Sequence, residues 1–504
     1  VIVPALLILV GACLRAAMLV PNRFRVDEAL YATFAREVAT GGDPLLLAFD
    51  VDKPPLAVYA TAVAFAALGV SEFAARVPNV LASVASLAVL WALGRRLYSL
   101  TPQPALPLGE GASNTAKARL NPTACFAVLL VALSPYDVLF APTVFAEPQV
   151  TLWTLLACWA VAGDRWAWAG GLLALGIATK QSALFYAPLV VALGVVLIAG
   201  NATADWRAYA RRVVRLALPV LVCGALLALW DAPRGPGRSF WALGYAHNAP
   251  GRWIRSGEVL PRLGAWGFWL STFTGAEALN VALLVLGIGG LAWGVIFRSR
   301  RRETVIDLVL VGYALAYLGM LWLLAFNTYD RYVHTLLPVL ALLAARGVAC
   351  ALAQIQRGPK PAVLALAGLV VVACLVGPLG EALAGEMPVG GDKGEYDGIE
   401  QVAAFLNGLP AGVEVCDHWL GWELGFYLGR EPAIRMTWYP RPDVLVERLN
   451  QGAAGTPCYL PAPADAPVGR WLATASRAGF EVAEVFAAMD RWGERSFVVY
   501  VIGE

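Results

Sequence analysis

The sequence predicts a polytopic α-helical membrane protein that carries a small α/β domain at its C-terminal end. Three observations lead there. Hydrophobic residues make up 59% of the 504 and charged residues only 15%, against about a quarter charged in an ordinary soluble domain; the mean hydropathy is +0.64. Apolar runs of roughly bilayer-spanning length recur from Val1 to Gly380. Beyond Gly380 those runs stop, and short strand-like and helix-like stretches alternate instead.

Taken in order, candidate spans lie at 1–20, 74–94, 122–141, 145–162, 166–180, 183–200, 213–231, 276–297, 305–325, 333–352 and 362–380, about eleven in all. The first is longer than a secretory h-region and has no small-residue cleavage site before Arg23, so it reads as a retained span. The chain begins with Val1 rather than Met, from which we expect a missing native N-terminus.

Orientation follows from basic residues in the short loops. With the N-terminus inside a bacterial cytoplasmic membrane, the inner loops carry Arg95, Arg96, Lys117 and Arg119; Arg165; Arg207, Arg211, Arg212 and Arg215; Arg298, Arg300, Arg301 and Arg302; and Arg346, Arg357 and Lys360. These arginines fall between hydrophobic runs and form no basic domain, so nucleic acid is not an expected partner. The same assignment puts two long loops, 21–73 and 232–275, outside, together with the tail 381–504.

In the first outside loop, Asp27–Thr40 has a helical pattern with Leu30, Phe34 and Val38 on one face and Gly41-Gly42 as a stop. Pro54–Val70 is apolar for too few residues to span, which suits a helix lying along the interface. The second loop breaks the inside-positive pattern with Arg234, Arg238, Arg252, Arg255 and Arg262. It is either a solvated loop or a surface facing phosphate, which arginine pairs with bidentately.

In the tail, Val413–Cys416, Ile434–Thr437, Cys458–Leu460, Glu481–Phe486 and Phe497–Val501 read as strands, with helices at 399–407, 418–428, 442–450 and 467–478. Six cysteines lie in apolar runs as small hydrophobes. Cys416 and Cys458 lie in the tail and would be able to pair in an oxidising compartment. Asp417-His418-Trp419 and Trp422-Glu423 are either a sugar-stacking cluster or the start of a packed helix.

Few polar residues stand out against this background. Asp27 and Glu28 open a helix, where capping and the helix dipole would explain both; a carboxylate beside a membrane cavity is also what a general base requires. Asp52-Lys53-Pro54-Pro55 presents two charges on a backbone stiffened by proline. The chain has five lysines in all, so Lys53 and Lys180 are not generic surface charge. Lys180 either snorkels to the interface or neutralises a lipid phosphate. Glu147, ahead of Pro148, is a helix cap or an intramembrane functional carboxylate. Arg331 either binds phosphate or pairs with Asp330, and His247 is a lone histidine in the arginine-rich loop. No phosphate-binding Gly-Lys loop or dinucleotide fingerprint occurs, which argues against a nucleotide-driven pump.

The ordered set Asp27-Glu28-Ala29-x-Tyr31, Asp52-Lys53-Pro54-Pro55, Gly69–Arg76 and Glu147-Pro148 resembles the GT-C glycosyltransferases, closest to the protein O-mannosyltransferase and lipid A aminoarabinose transferase branch. Thr179-Lys180 and Arg331-Tyr332 ahead of Leu336-Leu337-Pro338 fit the same branch, so the likeness covers roughly residues 20–350. The resemblance implies a polyprenyl-phosphate-sugar donor and an extracytoplasmic acceptor of unknown class. It implies Asp27 as the catalytic residue supported by Glu28 and Tyr31, with Lys53, Lys180, Arg331, Arg252 and Arg255 toward the donor phosphate and Glu147 in support. The family's glutamate before Lys-Pro is Asp52 here; with His247 it occupies positions that hold a divalent metal in the aminoarabinose enzymes, so a metal is admitted but no cofactor is required. A lipid-linked-sugar flippase, or a non-catalytic subunit on the same fold, are the alternative classes.

Overall fold

The computed structural model describes residues 2–20, 22–98, 121–199, 206–248, 252–298, 302–355, 361–390, 394–428, 434–451 and 457–503. Lys117, Arg119, Arg300, Arg301, Arg357 and Lys360, assigned above to inner loops, lie outside these residues.

Helices occupy every segment expected to span. Among the described residues seven are long and apolar enough to cross a membrane: Glu72–Leu97, Gln181–Ile198, Trp206–Arg234, Glu277–Phe297, Arg302–Leu323, Leu337–Gln354 and Ala362–Leu383. The other four expected spans carry shorter helices, Ile2–Ala17, Pro122–Ala132, Glu147–Val161 and Trp166–Thr179. The segment 122–141 is broken rather than continuous. Pro135 has no N–H to offer the preceding turn, and the Ser134 hydroxyl accepts from the Asp137 N–H to start a second helix, Pro135–Phe140.

Burial is arranged for a hydrocarbon surround. Every residue of Thr123–Ala132 is buried, so this short helix lies at the centre. Trp206–Asp231 instead turns Leu218, Leu221, Leu226 and Leu229 outward, each at least 60% exposed. A row of bare leucines of that size is stable only against lipid, and the chain is an integral membrane protein.

The loop 21–73 folds as expected, into helices Val26–Ala39 and Leu56–Leu68. Gly41 supplies the positive φ (73°) that ends the first helix. Asp27 is not its N-cap: it is the second helical residue, and Glu28 does the capping by accepting from the Arg25 N–H at 3.3 Å.

The tail forms one five-stranded sheet from β1 (Val413–Asp417), β2 (Ile434–Trp438), β3 (Cys458–Pro463), β4 (Glu481–Met489) and β5 (Arg495–Gly503), in the order β2-β1-β3-β5-β4. β1 runs parallel to β2 and β3, and β5 is antiparallel to β3 and β4. The helix-bearing crossovers supply the parallel half. Cys416 and Cys458, on neighbouring strands with Cα atoms 5.9 Å apart, form the disulfide their position allowed.

Sheet domain and first loop are docked by polar contacts. Arg36 donates to the carbonyls of Phe426 (2.8 Å) and Gly425 (3.0 Å) at the C-terminal end of the helix Gly421–Tyr427, where a cation suits the helix dipole. The Tyr427 hydroxyl donates to Glu72, and Arg23 pairs with both Glu72 and Glu400.

Candidate active site

Seven segments remote in sequence converge on two adjoining cavities. The first, a narrow space of about 20 Å³, is lined by Tyr31, Lys53, Phe145, Glu147, Lys180 and Arg331 among others. The second, of about 370 Å³, is lined by Arg25, Asp27, Phe145, Trp269, Tyr329, Asp330 and Arg331, with Pro388, Glu395 and Tyr396 from the start of the tail. Phe145 and Arg331 belong to both walls. The first cavity thus has three cationic side chains against one carboxylate, a bias toward an anion.

Each charge is placed by a local cause. Lys53 sits ahead of Pro54-Pro55 at the start of the Leu56–Leu68 helix; its ammonium donates to Asp52 Oδ2 at 2.6 Å and lies 5.5 Å from the centre of the Tyr31 ring. Burial opposes the charge on Lys53, but Tyr31 and Asp52 outweigh it and raise its pKa above the ordinary lysine range. Burial likewise works against the Asp52 carboxylate, and Lys53 with His247 reverses it, holding the carboxyl below its usual value. Burial pushes the Tyr31 phenol up to about 12, leaving it a hydrogen-bond donor.

Lys180 is the extended residue between the helix Trp166–Thr179 and the turn Gln181–Tyr186, so its side chain points inward and not along a helix face. It is buried, pairs with the equally buried Glu147, and lies 5.4 Å from the Tyr332 ring centre. Among the described residues the second oxygen of Glu147 has no partner. The Asn79 amide holds the strand of chain before Glu147 by donating to the carbonyls of Thr143 (2.5 Å) and Phe145 (2.6 Å), and Gln149 donates to Asn79 at 2.8 Å.

Arg331 opens the short helix Arg331–His334, with Asp330 Oδ1 accepting its N–H at 2.7 Å. Its guanidinium donates to Asp27 Oδ2 at 2.7 Å and lies 4.5 Å from the Tyr329 ring centre. Its partner is therefore Asp27 across the cavity wall, and not the side chain of the adjacent Asp330. Its Nε is buried without a partner among the described residues.

The remaining candidates fall elsewhere. Arg252 is spent on Glu258, at 2.7 and 2.8 Å, and Arg255 is exposed beside it; neither lines either cavity. Arg234 donates to the Trp230 carbonyl and stacks on that ring at 3.5 Å, and Arg262 holds the Phe326 carbonyl, so the arginine-rich loop is largely pinned by internal bonds. His247 Nδ1 is 3.2 Å from Asp52 Oδ2, the same oxygen that takes the Lys53 ammonium. A cation would have to displace that ammonium, and among the described residues no three of His, Cys, Asp or Glu gather as a metal set. This pair does not fit a divalent metal.

Several buried polar residues were not singled out from the sequence. Arg15, wholly buried, donates to Ser83 Oγ at 2.8 Å and to the carbonyls of Val131 and Ala132, and pairs with Asp137; Asp137 also meets His334 Nε2 at 2.8 Å. The signal was present. Arg76, Asn79, Ser83 and Ser86 recur at helical spacing along one face of an apolar span, and all four are buried.

The sequence from residue 52 to 106 matches the family model described as dolichyl-phosphate-mannose-protein mannosyltransferase. That match starts at Asp52, the first residue of the Asp-Lys-Pro-Pro motif. No curated protein is matched by sequence. Among solved structures, ArnT from Cupriavidus metallidurans bound to undecaprenyl phosphate superposes with a TM-score of 0.62 at 15% identity, covering 98% of this chain and 97% of that one. The apo state of the same protein gives 0.62 at 16% identity. The mycobacterial arabinofuranosyltransferase AftD gives 0.52 at 16% identity, with 99% of this chain matched to 41% of that larger one. The chain has the fold of these GT-C membrane glycosyltransferases over its whole length, tail domain included.

Proposed function

We propose that the protein transfers a monosaccharide from a polyprenyl-phosphate donor to an extracytoplasmic acceptor, with inversion at the anomeric carbon. The observation that carries this reading is the pair of cavities sharing Arg331, one cationic and one holding Asp27. The donor phosphate lies in the first cavity against Lys53, Lys180 and Arg331, and the acceptor enters the second. Asp27 takes the proton of the acceptor hydroxyl or amine as the heteroatom attacks the anomeric carbon. The bond from that carbon to the phosphate oxygen breaks, and its electron pair leaves with the polyprenyl phosphate. The three cations stabilise the negative charge that grows on that phosphate. Glu147 orients Lys180, and its free oxygen suits a hydroxyl of the donor sugar. Glu28 fixes the helix turn that presents Asp27. The donor carries its own activation, so the chemistry requires neither nucleotide nor metal.

The fold of an undecaprenyl-phosphate-binding ArnT and the sequence match to a mannosyltransferase family support this reading. The test is reconstitution with radiolabelled polyprenyl-phosphate sugars and cell extract, comparing wild type with Asp27→Asn. Transfer by wild type and a loss of at least about 100-fold in the variant, the usual scale for a general base, are expected. Labelled lipid that changes leaflet with no sugar released would identify a lipid-linked-sugar flippase instead.

A further inference from the structure

One oxygen of Asp27 is engaged as the structure stands. The oxygen that faces the shared wall is already filled by the Arg331 guanidinium, at 2.7 Å. Arg331 is the larger anchor of the two, with its side chain 13% exposed against 43% for Asp27. Among the described residues it also keeps a buried Nε with no partner, although it lines a cavity that holds two further cations, Lys53 and Lys180. A guanidinium offers five N–H donors in a rigid fork and prefers two-pronged pairing with phosphate. Here it has a one-pronged bond to a half-exposed carboxylate on one side and a narrow cationic space, which would have to open for a phosphate, on the other.

Resting on the donor reading above, we propose that Arg331 is a switch between the two cavities: the donor phosphate draws it off Asp27, and this frees Oδ2, the oxygen on the shared wall, to accept the acceptor proton. The order of events follows. In the empty enzyme, Arg331 occupies Asp27 Oδ2, the oxygen on the shared wall. Donor phosphate, arriving beside Lys53 and Lys180, gives Arg331 a two-pronged partner and fills its vacant Nε. Asp27 is released into the second cavity, where the acceptor X–H hands over its proton. After transfer, polyprenyl phosphate leaves, Asp27 gives up the proton, and the pair re-forms. Donor binding thereby precedes productive acceptor binding, and the coupling is reciprocal: whatever removes Asp27 from Arg331 must tighten the phosphate lipid.

Undecaprenyl phosphate itself is the probe, with dissociation constants measured on the purified full-length protein in detergent. Asp27→Asn replaces the competing carboxylate by a neutral group and should bind the lipid roughly 10-fold more tightly than wild type, the scale of one charge-assisted hydrogen bond that no longer has to be broken. In an Arg331→Gln background the same Asp27→Asn change should give no gain; Arg331→Met replaces it if the glutamine variant is not monodisperse. An equal gain in both backgrounds would mean plain charge repulsion between Asp27 and the phosphate, and would overturn the switch. So would an Asp27→Asn variant that binds no tighter than wild type, since Arg331 would then serve both partners at once. A wild type that binds no undecaprenyl phosphate would sink the donor reading itself, an outcome distinct from either of these.

Discussion

Glu28 accepts the backbone N–H of Val144 at 3.0 Å, and this one bond ties the helix that carries Asp27 to the chain that leads into Glu147. Its other oxygen takes the Arg25 N–H. The distance from base to cationic cavity is therefore set by the residue next to the base. A carboxylate sunk to 2% exposure is a costly way to hold a turn unless the position it fixes matters.

That cost is measurable as a pH dependence. Burial pushes the Glu28 carboxyl up to about 7 from an ordinary 4.5, against the pull of Arg76 and two backbone donors. A group whose folded pKa is raised contributes stability that is complete below its unfolded pKa and lost as pH rises through the folded one. We expect the thermal midpoint in detergent to fall between about pH 4.5 and 7.5, by at most about 3 kcal/mol of stability. Glu28→Gln should flatten the curve over that window; an unchanged slope would assign the effect to another group.

Lys180 and Glu147 are paired and both almost wholly enclosed. Removing one partner of such a pair strands the other charge, at roughly 3–5 kcal/mol, whereas removing both is close to neutral. Lys180→Met should lower the thermal midpoint sharply, and Lys180→Met with Glu147→Gln should recover most of the loss. Neither variant should recover sugar transfer, because the phosphate keeps only two of its three cations. Recovery of turnover in the double variant would remove Lys180 from the donor site.

How much of this was legible depended on the range of the interaction. The tail strands, the helix around Asp27 and the helix after Pro55 rest on local pattern, and each forms where its residues placed it. Asp27, Lys53 and Arg331 line the two cavities, although capping or local pairing would have explained the first and last of these charges as well. What pattern could not give was pairing. Whether Arg331 meets Asp330 or Asp27, 304 positions away, is decided by packing. In sequence Arg252 suits either a solvated loop or a phosphate-facing surface, and its pairing with Glu258 gives no periodic signal. The break at Ser134-Pro135, with Asp137 after it, is visible in the sequence, but the expected span 122–141 runs through it.

The sheet domain is expected to steady the helix that carries Asp27. Arg36 lies on the same helix as Asp27 and binds carbonyls of Gly425 and Phe426. Arg36→Ala leaves those carbonyls and the helix end without their cation, a loss of about 1–3 kcal/mol in docking. Limited proteolysis should then cut the segment 384–398 or the tail faster than in wild type, with sugar transfer reduced by less than in Asp27→Asn. Unchanged protease resistance would show that Tyr427 and Arg23 hold the domain without Arg36.

The last expectation concerns metal. In the Asp52-Lys53 pair the lysine ammonium sits 2.6 Å from the oxygen that a cation would need, and His247 reaches the same oxygen from a side chain 56% exposed. An ammonium and a divalent ion cannot share that oxygen, since like charges so close repel strongly in a partly buried site. Undecaprenyl phosphate affinity should therefore be unchanged by exhaustive treatment with EDTA. Lys53→Met should weaken it by about 10-fold, as expected when a phosphate loses one charge-assisted bond. If EDTA instead weakened the lipid and added manganese or magnesium restored it, Lys53 would have to leave Asp52 in the loaded state. The first cavity would then be a metal–phosphate site held by Asp52 and His247, and Lys53→Met would strengthen metal binding rather than abolish the lipid's.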